Sequence, residues 1–206
     1  PLNEQGNPTE KYFAIQKMIH DTFPEIQQME PLTKNTMEVK GIPLRNKVSL
    51  FSTLDTISQP VKTTYPETME MLGQNTGYIL YRTSIKKDAE EERLRVIDGR
   101  DRSQLFQTQI GEDIIVPMTE ETNQLDILIE NMGRVNYGHK LFADTQNKGI
   151  RTGVMADLHF LTDWSQYCLP LDSCEAVDYS REWQPEQPSF YRYEVVLDEV
   201  EDSFID

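Results

Sequence analysis

The chain has 206 residues, 37% of them hydrophobic and 9% aromatic, enough apolar material for one or two packed domains and too much for a largely disordered segment. Twenty Lys and Arg against 35 Asp and Glu give a net charge of −15, a field that repels phosphate backbones and anionic headgroups and makes nucleic acid and membrane surfaces poor partners. No stretch approaches the roughly 18 apolar residues of a bilayer span, and the opening Pro1-Leu2-Asn3-Glu4 lacks the charged-then-apolar pattern of a secretion signal.

In chain order, Asn7-Pro8-Thr9-Glu10 reads as a helix start, with Asn7 as N-cap, Pro8 at the first helical position and Glu10 three residues on. Tyr12, Ile15, Met18, Ile19 and Thr22 follow at helical spacing until Phe23-Pro24 ends the pattern. That apolar stripe needs something to cover it, and the next thirty residues offer only loop and strand signals. Its partner is expected upstream, in sequence this chain lacks.

From Met37 the pattern changes to short runs of β-branched and aromatic residues between turn residues, the signature of a sandwich or jelly roll. Strands are expected at 37–42, 47–54, 77–85, 94–97, 103–108, 113–118, 124–130, 149–155, 158–160 and 190–197. Asp98-Gly99 predicts a tight hairpin turn between the fourth and fifth of these. Residues 172–188, rich in acids and holding Pro185 and Pro188, read as a linker, after which a new strand begins.

The densest cluster of chemistry is 125–138, an alternating strand that runs into a polar segment between Gly133 and Gly138. Asn131, Arg134, Asn136 and Tyr137 supply amides, a guanidinium and a phenol, the donors and stacking surface that a sugar calls for. The same residues would equally serve a structured loop that satisfies backbone carbonyls. Four arginines within 93–102 are interleaved with Asp98 and Asp101, as in a surface ion-pair network.

For catalysis the chain offers little. His20, His139 and His159 have no neighbouring ligand at metal spacing, and no nucleophile elbow, zinc-protease motif or phosphate-cradling loop occurs. No metal or cofactor is implied. Nothing picks a glycosidase carboxylate pair out of 35 acids, and the acid run 198–202 reads as a strand edge and turn. Cys168 and Cys174 are too few for a disulfide scaffold and read as two free thiols, with a local disulfide as the alternative.

Glu130-Asn131-Met132-Gly133-Arg134-Val135-Asn136-Tyr137-Gly138 resembles the segment ENMGRVNYG of the family 35 glycoside hydrolases, the β-galactosidases. Other stretches agree in order. Gly77-Tyr78-Ile79-Leu80-Tyr81-Arg82-Thr83 is similar to a strand of that family, Asp101-Arg102 to its downstream pair, and Leu161-Thr162-Asp163-Trp164 to the tetrapeptide that follows. The opening from Leu2 to Tyr12 resembles the passage into the last helix of the family's catalytic (β/α)8 barrel, and Asp202-Ser203-Phe204-Ile205 the start of its final β-domain.

The resemblance implies an all-β fold, a jelly-roll sandwich of the galactose-binding-domain type preceded by one α-helix. Residues 1–30 would be the last helix of a missing barrel, 31–60 a connecting segment with strands, 61–174 the sandwich, 175–187 a linker and 188–206 the first strand of a truncated second β-domain. The family's two catalytic glutamates lie on barrel strands upstream, so no catalytic residue is expected in this chain, which alone should be inactive. The implied partners are its own barrel, the second β-domain and the galactoside substrate. Tyr137, with Asn136 and Arg134, is expected to line the substrate site, Tyr137 offering its ring and Arg134 anchoring the loop. The competing reading is an independent carbohydrate-binding module, with Trp164 and Trp183 as its candidate platforms.

Overall fold

The computed structural model describes residues 1–34, 38–100, 102–103, 113–134 and 136–197. Met37, Asp101, Val135, most of the expected strand at 103–108, the acid run from Asp198 and Asp202-Ser203-Phe204-Ile205 lie outside the described residues.

The elements are α1 (Glu10–Thr22), β1 (Leu44–Ser49), α2 (Leu50–Ile57), β2 (Val61–Thr63), β3 (Tyr78–Lys86), β4 (Glu91–Arg100), β5 (Arg102–Ser103), β6 (Ile114–Pro117), β7 (Thr122–Glu130), β8 (Gly149–Ala156), β9 (His159–Phe160), β10 (Trp164–Leu169) and β11 (Ser189–Tyr193), with a 3-10 turn at Asp144–Gln146. Two compact units result, one comprising 48–190 and the other the chain through Lys47 together with that from Tyr191.

The unit 48–190 is an antiparallel sandwich. One sheet has the order β2-β10-β3-β7-β5 and the other β6-β4-β8-β9. The chain passes from one sheet to the other at nearly every connection, as in a jelly roll. Ile79, Tyr81 and Ile85 of β3, Leu125, Ile127 and Ile129 of β7 and Trp164 of β10 meet Leu94, Val96, Ile150 and Val154 of the opposite sheet. Each such side chain removed from water contributes roughly 1.5–3 kcal/mol. The alternation breaks at the centre, where 79–81 and 127–129 are buried without interruption. The reason is a third layer: Leu80, Leu128 and Leu169 face outward and pack on Leu50 and Leu54 of α2. Beside them Arg82 binds Asp126 through two nitrogens, at 2.6 and 2.9 Å, with its guanidinium 5.8 Å from the Phe51 ring and 5.7 Å from that of Tyr167.

Several expectations are corrected. The run 47–54 is a strand only to Ser49; from Leu50 it is helical, because Leu50, Thr53, Leu54 and Ile57 recur at helical spacing and cover the sheet. Among the described residues two α-helices are therefore present where one was expected. Residues 38–42 form no strand, since Gly41 sits at φ 67° and Pro43 has no N–H to donate. Asp98-Gly99 is no hairpin turn: Asp98, at φ 54°, sits where the β4–β8 register shifts inside a ten-residue strand, and its carboxylate accepts a hydrogen bond from Arg151 Nη1 at 2.6 Å.

Strand β10, between β2 and β3, is not among the expected strands, and Gln166 in it is polar. It is fully buried, its Oε1 accepting from Glu67 N at 2.6 Å and its Nε2 donating to Thr63 Oγ1 at 2.8 Å. The segment 172–188 is held by hydrogen bonds to the start and the middle of α2, with Gln184 N donating to Ser49 Oγ, Leu50 N to Pro188 O, and Asp178 N to Thr53 Oγ1.

In the other unit α1 begins at Glu10, two positions later than Asn7 as N-cap predicts; Thr9 stands at the N-cap position with its hydroxyl donating to Pro1 O, and Asn7 instead exchanges hydrogen bonds with the backbone of Lys34. None of its residues is buried; Tyr12 and Ile19 of its apolar stripe share a pocket with Ile26 and Met29, and Met18 stays 61% exposed. No helix among the described residues is long and apolar enough to cross a membrane.

Candidate functional site: the loop between β7 and β8

The polar segment singled out in the sequence is the start of the connection 131–148, which leaves the end of β7 and returns as β8. Its base is fixed at two feet. At the first, Asn131 N donates to Gly77 O at 2.9 Å, Asn131 Nδ2 to Asn75 O at 2.8 Å, and Gly133 N to Asn131 Oδ1 at 3.0 Å. Gly77 sits at φ 77°, where a Cβ would run into the Leu169 and Pro170 carbonyls, so only glycine fits. Tyr78, which opens β3 there, has its phenol pushed above its ordinary pKa by burial and then by the Glu130 carboxylate.

At the second foot Lys148 N donates to both oxygens of Glu70, at 2.9 and 3.1 Å, while Met69 N donates to Lys148 O at 2.9 Å. Gly149 follows at φ 89°, where a Cβ would run into Tyr81 Oη. That phenol is fully buried, edge-on to Trp164 with ring centroids 6.3 Å apart. It donates to Glu67 O at 2.7 Å and accepts from Ile150 N at 3.2 Å. Burial drives its pKa well above the usual tyrosine value, so it stays a neutral donor.

Between the feet the expected site residues separate by role. Arg134 points back to the base, its Nη2 2.6 Å from Glu70 Oε1. Asn136 is exposed. Tyr137 is 84% exposed and Phe142, further along the crest, 94% exposed. The structure thus brings Arg134 to a carboxylate that sequence reasoning did not single out and leaves Tyr137 free to meet something outside. Glu70 and Tyr81 carried no signal of their own: one is an acid among 35 and the other an aromatic in a core strand.

The other candidates fall away from a shared site. Trp164 is 1% exposed, its Nε1 donating to Leu161 O at 3.0 Å, and Trp183 is half-buried, so neither offers an open face to a sugar. Arg93 and Arg95 pair with Asp113, and Arg93 also with Asp157, a surface network in which the Arg95 hydrogen bond holds the Asp113 carboxyl below its usual range. Cys168 and Cys174 are free thiols, that of Cys168 pushed up by burial. Among the described residues no group of three or more His, Cys, Asp or Glu could hold a metal ion.

Comparison with known proteins agrees with this architecture. The family described as "Beta-galactosidase, first all-beta domain" matches residues 66–171, which include β3 through β10 and the whole loop. Similar proteins include "Beta-galactosidase 1" of Dictyostelium discoideum, 30% identical over 98% of this chain and 36% of the relative. "Beta-galactosidase" of Xanthomonas manihotis is 29% identical over all of this chain and 35% of the relative. "Beta-galactosidase" of Homo sapiens is 31% identical over 86% of this chain and 27% of the relative. The chain spans about a third of the length of the first two of these relatives. Because that match spans more than half of the chain, this chain belongs to the family of the β-galactosidase first all-β domain.

Proposed function

We propose that the chain is a non-catalytic β-domain portion of a retaining β-galactosidase, an enzyme that hydrolyses terminal β-D-galactosyl residues, and that the crest of its β7–β8 loop lines the substrate site. The observation that carries this reading is Tyr137, 84% exposed on a loop whose base is tied to the core at both feet. A ring presented in that way suits stacking on a sugar's apolar face. Interactions with sugar remote from the scissile bond raise catalytic efficiency when they strengthen toward the transition state.

In this reading residues 1–30 close the catalytic barrel, 31–60 connect it to the sandwich of 61–174, and 188–206 open a second β-domain beyond the joining segment 175–187. The barrel and that second domain are the partners of the chain within one enzyme, with no cofactor required. The partly exposed stripe of α1 supports a neighbour of this kind, since Phe13, Met18 and Ile19 are 48%, 61% and 40% exposed. The two catalytic carboxylates belong to the barrel, so the chain by itself leaves a chromogenic galactoside intact. In the intact enzyme Tyr137→Ala lowers kcat/KM for a β-galactoside; an unchanged value with unchanged thermal stability removes the reading.

A further inference from the structure

We propose that Glu70 is the positioning residue of the β7–β8 loop, a single carboxylate that ties Arg134 to the second foot and so sets where Tyr137 stands; the inference rests on the reading of Tyr137 given above. Glu70 lies in the segment between β2 and β3, far in sequence from the loop it holds. Its Oε1 meets Arg134 Nη2 at 2.6 Å on the outgoing strand side, and both its oxygens accept from Lys148 N on the returning side. One acid therefore closes the base of everything between residues 134 and 148, including Tyr137 and Phe142.

The clamp is anchored from below. Met69, next in the chain, is fully buried in the sandwich core, and its own N–H fixes the carbonyl of Lys148. The Glu70 side chain is 22% exposed and that of Arg134 39%, so the pair is partly withdrawn from solvent. A charge-assisted contact in such a place is screened less than one at an open surface. An ordinary surface ion pair would leave the backbone unmoved when broken. Here the acid also satisfies a main-chain N–H, so its loss frees one foot as well as the guanidinium. Tyr137 lies three residues from Arg134, too close to keep its position if that anchor swings. Glu70 therefore affects sugar binding through Arg134 and the loop backbone, with no contact to the substrate.

The test uses the intact enzyme with Glu70→Ala, Arg134→Ala, the double variant, Glu70→Gln and Tyr137→Ala. Amide hydrogen exchange over 134–148 is read beside thermal midpoint, kcat and KM. Glu70→Ala is expected to speed exchange in that stretch at least tenfold and to raise KM severalfold. Arg134→Ala, which breaks the pair from its more exposed side and keeps the test open should Glu70→Ala not fold, is expected to raise KM similarly. The double variant should be no worse than the worse single one, since both act along one path. Glu70→Gln keeps an acceptor for Lys148 N and should fall between wild type and Glu70→Ala. Unchanged exchange over 134–148 in Glu70→Ala overturns the inference. So does faster exchange with wild-type kcat/KM when Tyr137→Ala is itself impaired, and so do additive losses in the double variant. A wild-type kcat/KM in Tyr137→Ala is a separate result that removes the substrate reading and this inference with it.

Discussion

Within the β7–β8 connection, Lys148 and Gly149 are locked against Glu70 and Tyr81, whereas Tyr137 and Phe142 a few residues earlier stand 84% and 94% exposed. The feet obey the rules of a core, in which every buried N–H finds an acceptor and no spare volume is left. The crest obeys neither. A loop that only filled space would bury its aromatic rings, and a loop that only linked two strands would need no carboxylate at its base. Firm feet under an exposed crest are how a rigid scaffold presents side chains to a ligand or a neighbouring domain.

The contrast predicts a graded series of stability losses. The largest belongs to Gly149→Ala, which combines a backbone at φ 89° with a Cβ driven toward Tyr81 Oη; a loss of about 3 kcal/mol is expected, read as a lower urea midpoint at unchanged slope. A midpoint within experimental error of wild type would mean that this foot is soft. Tyr81→Phe comes next. It keeps the ring against Trp164 but strips Ile150 N and Glu67 O of their partner, for a loss of about 1–3 kcal/mol by the same denaturation. At the crest Tyr137→Ala should change stability by no more than about 0.5 kcal/mol. A larger loss would place that ring in packing and erase the difference between crest and feet.

The legible parts of this molecule were those whose pattern is local. β3 and β7 could be read because Ile79, Tyr81, Ile85 and Leu125, Ile127, Ile129 alternate over a long enough run to mark a buried face. The loop 131–138 could be read as a fixed element from its two glycines and its polar density, whereas Arg134 as its anchor was an expectation drawn from the family resemblance. The apolar stripe of α1 was equally plain. What escaped depends on partners far along the chain. α2 reads as strand in the sequence because Val48, Leu50 and Phe51 are apolar and its helical stripe is short. β10 has no clear local pattern because Gln166 is buried only by virtue of Glu67 and Thr63, about a hundred residues earlier. Asp98-Gly99 suits a turn and an irregular strand alike, since both want a residue at positive φ. Glu70 and Arg134 are separated in the chain by β3 through β7, and no spacing rule could single the pair out.

The proposed contact between Tyr137 and the sugar is tested by kcat/KM for a β-galactoside in the intact enzyme carrying Tyr137→Ala or Tyr137→Phe. A loss of about tenfold is expected for alanine, the equivalent of ~1.4 kcal/mol of aromatic contact, with most of the activity kept by phenylalanine and thermal stability unchanged in both. Wild-type kcat/KM in Tyr137→Ala, at wild-type stability, would contradict it.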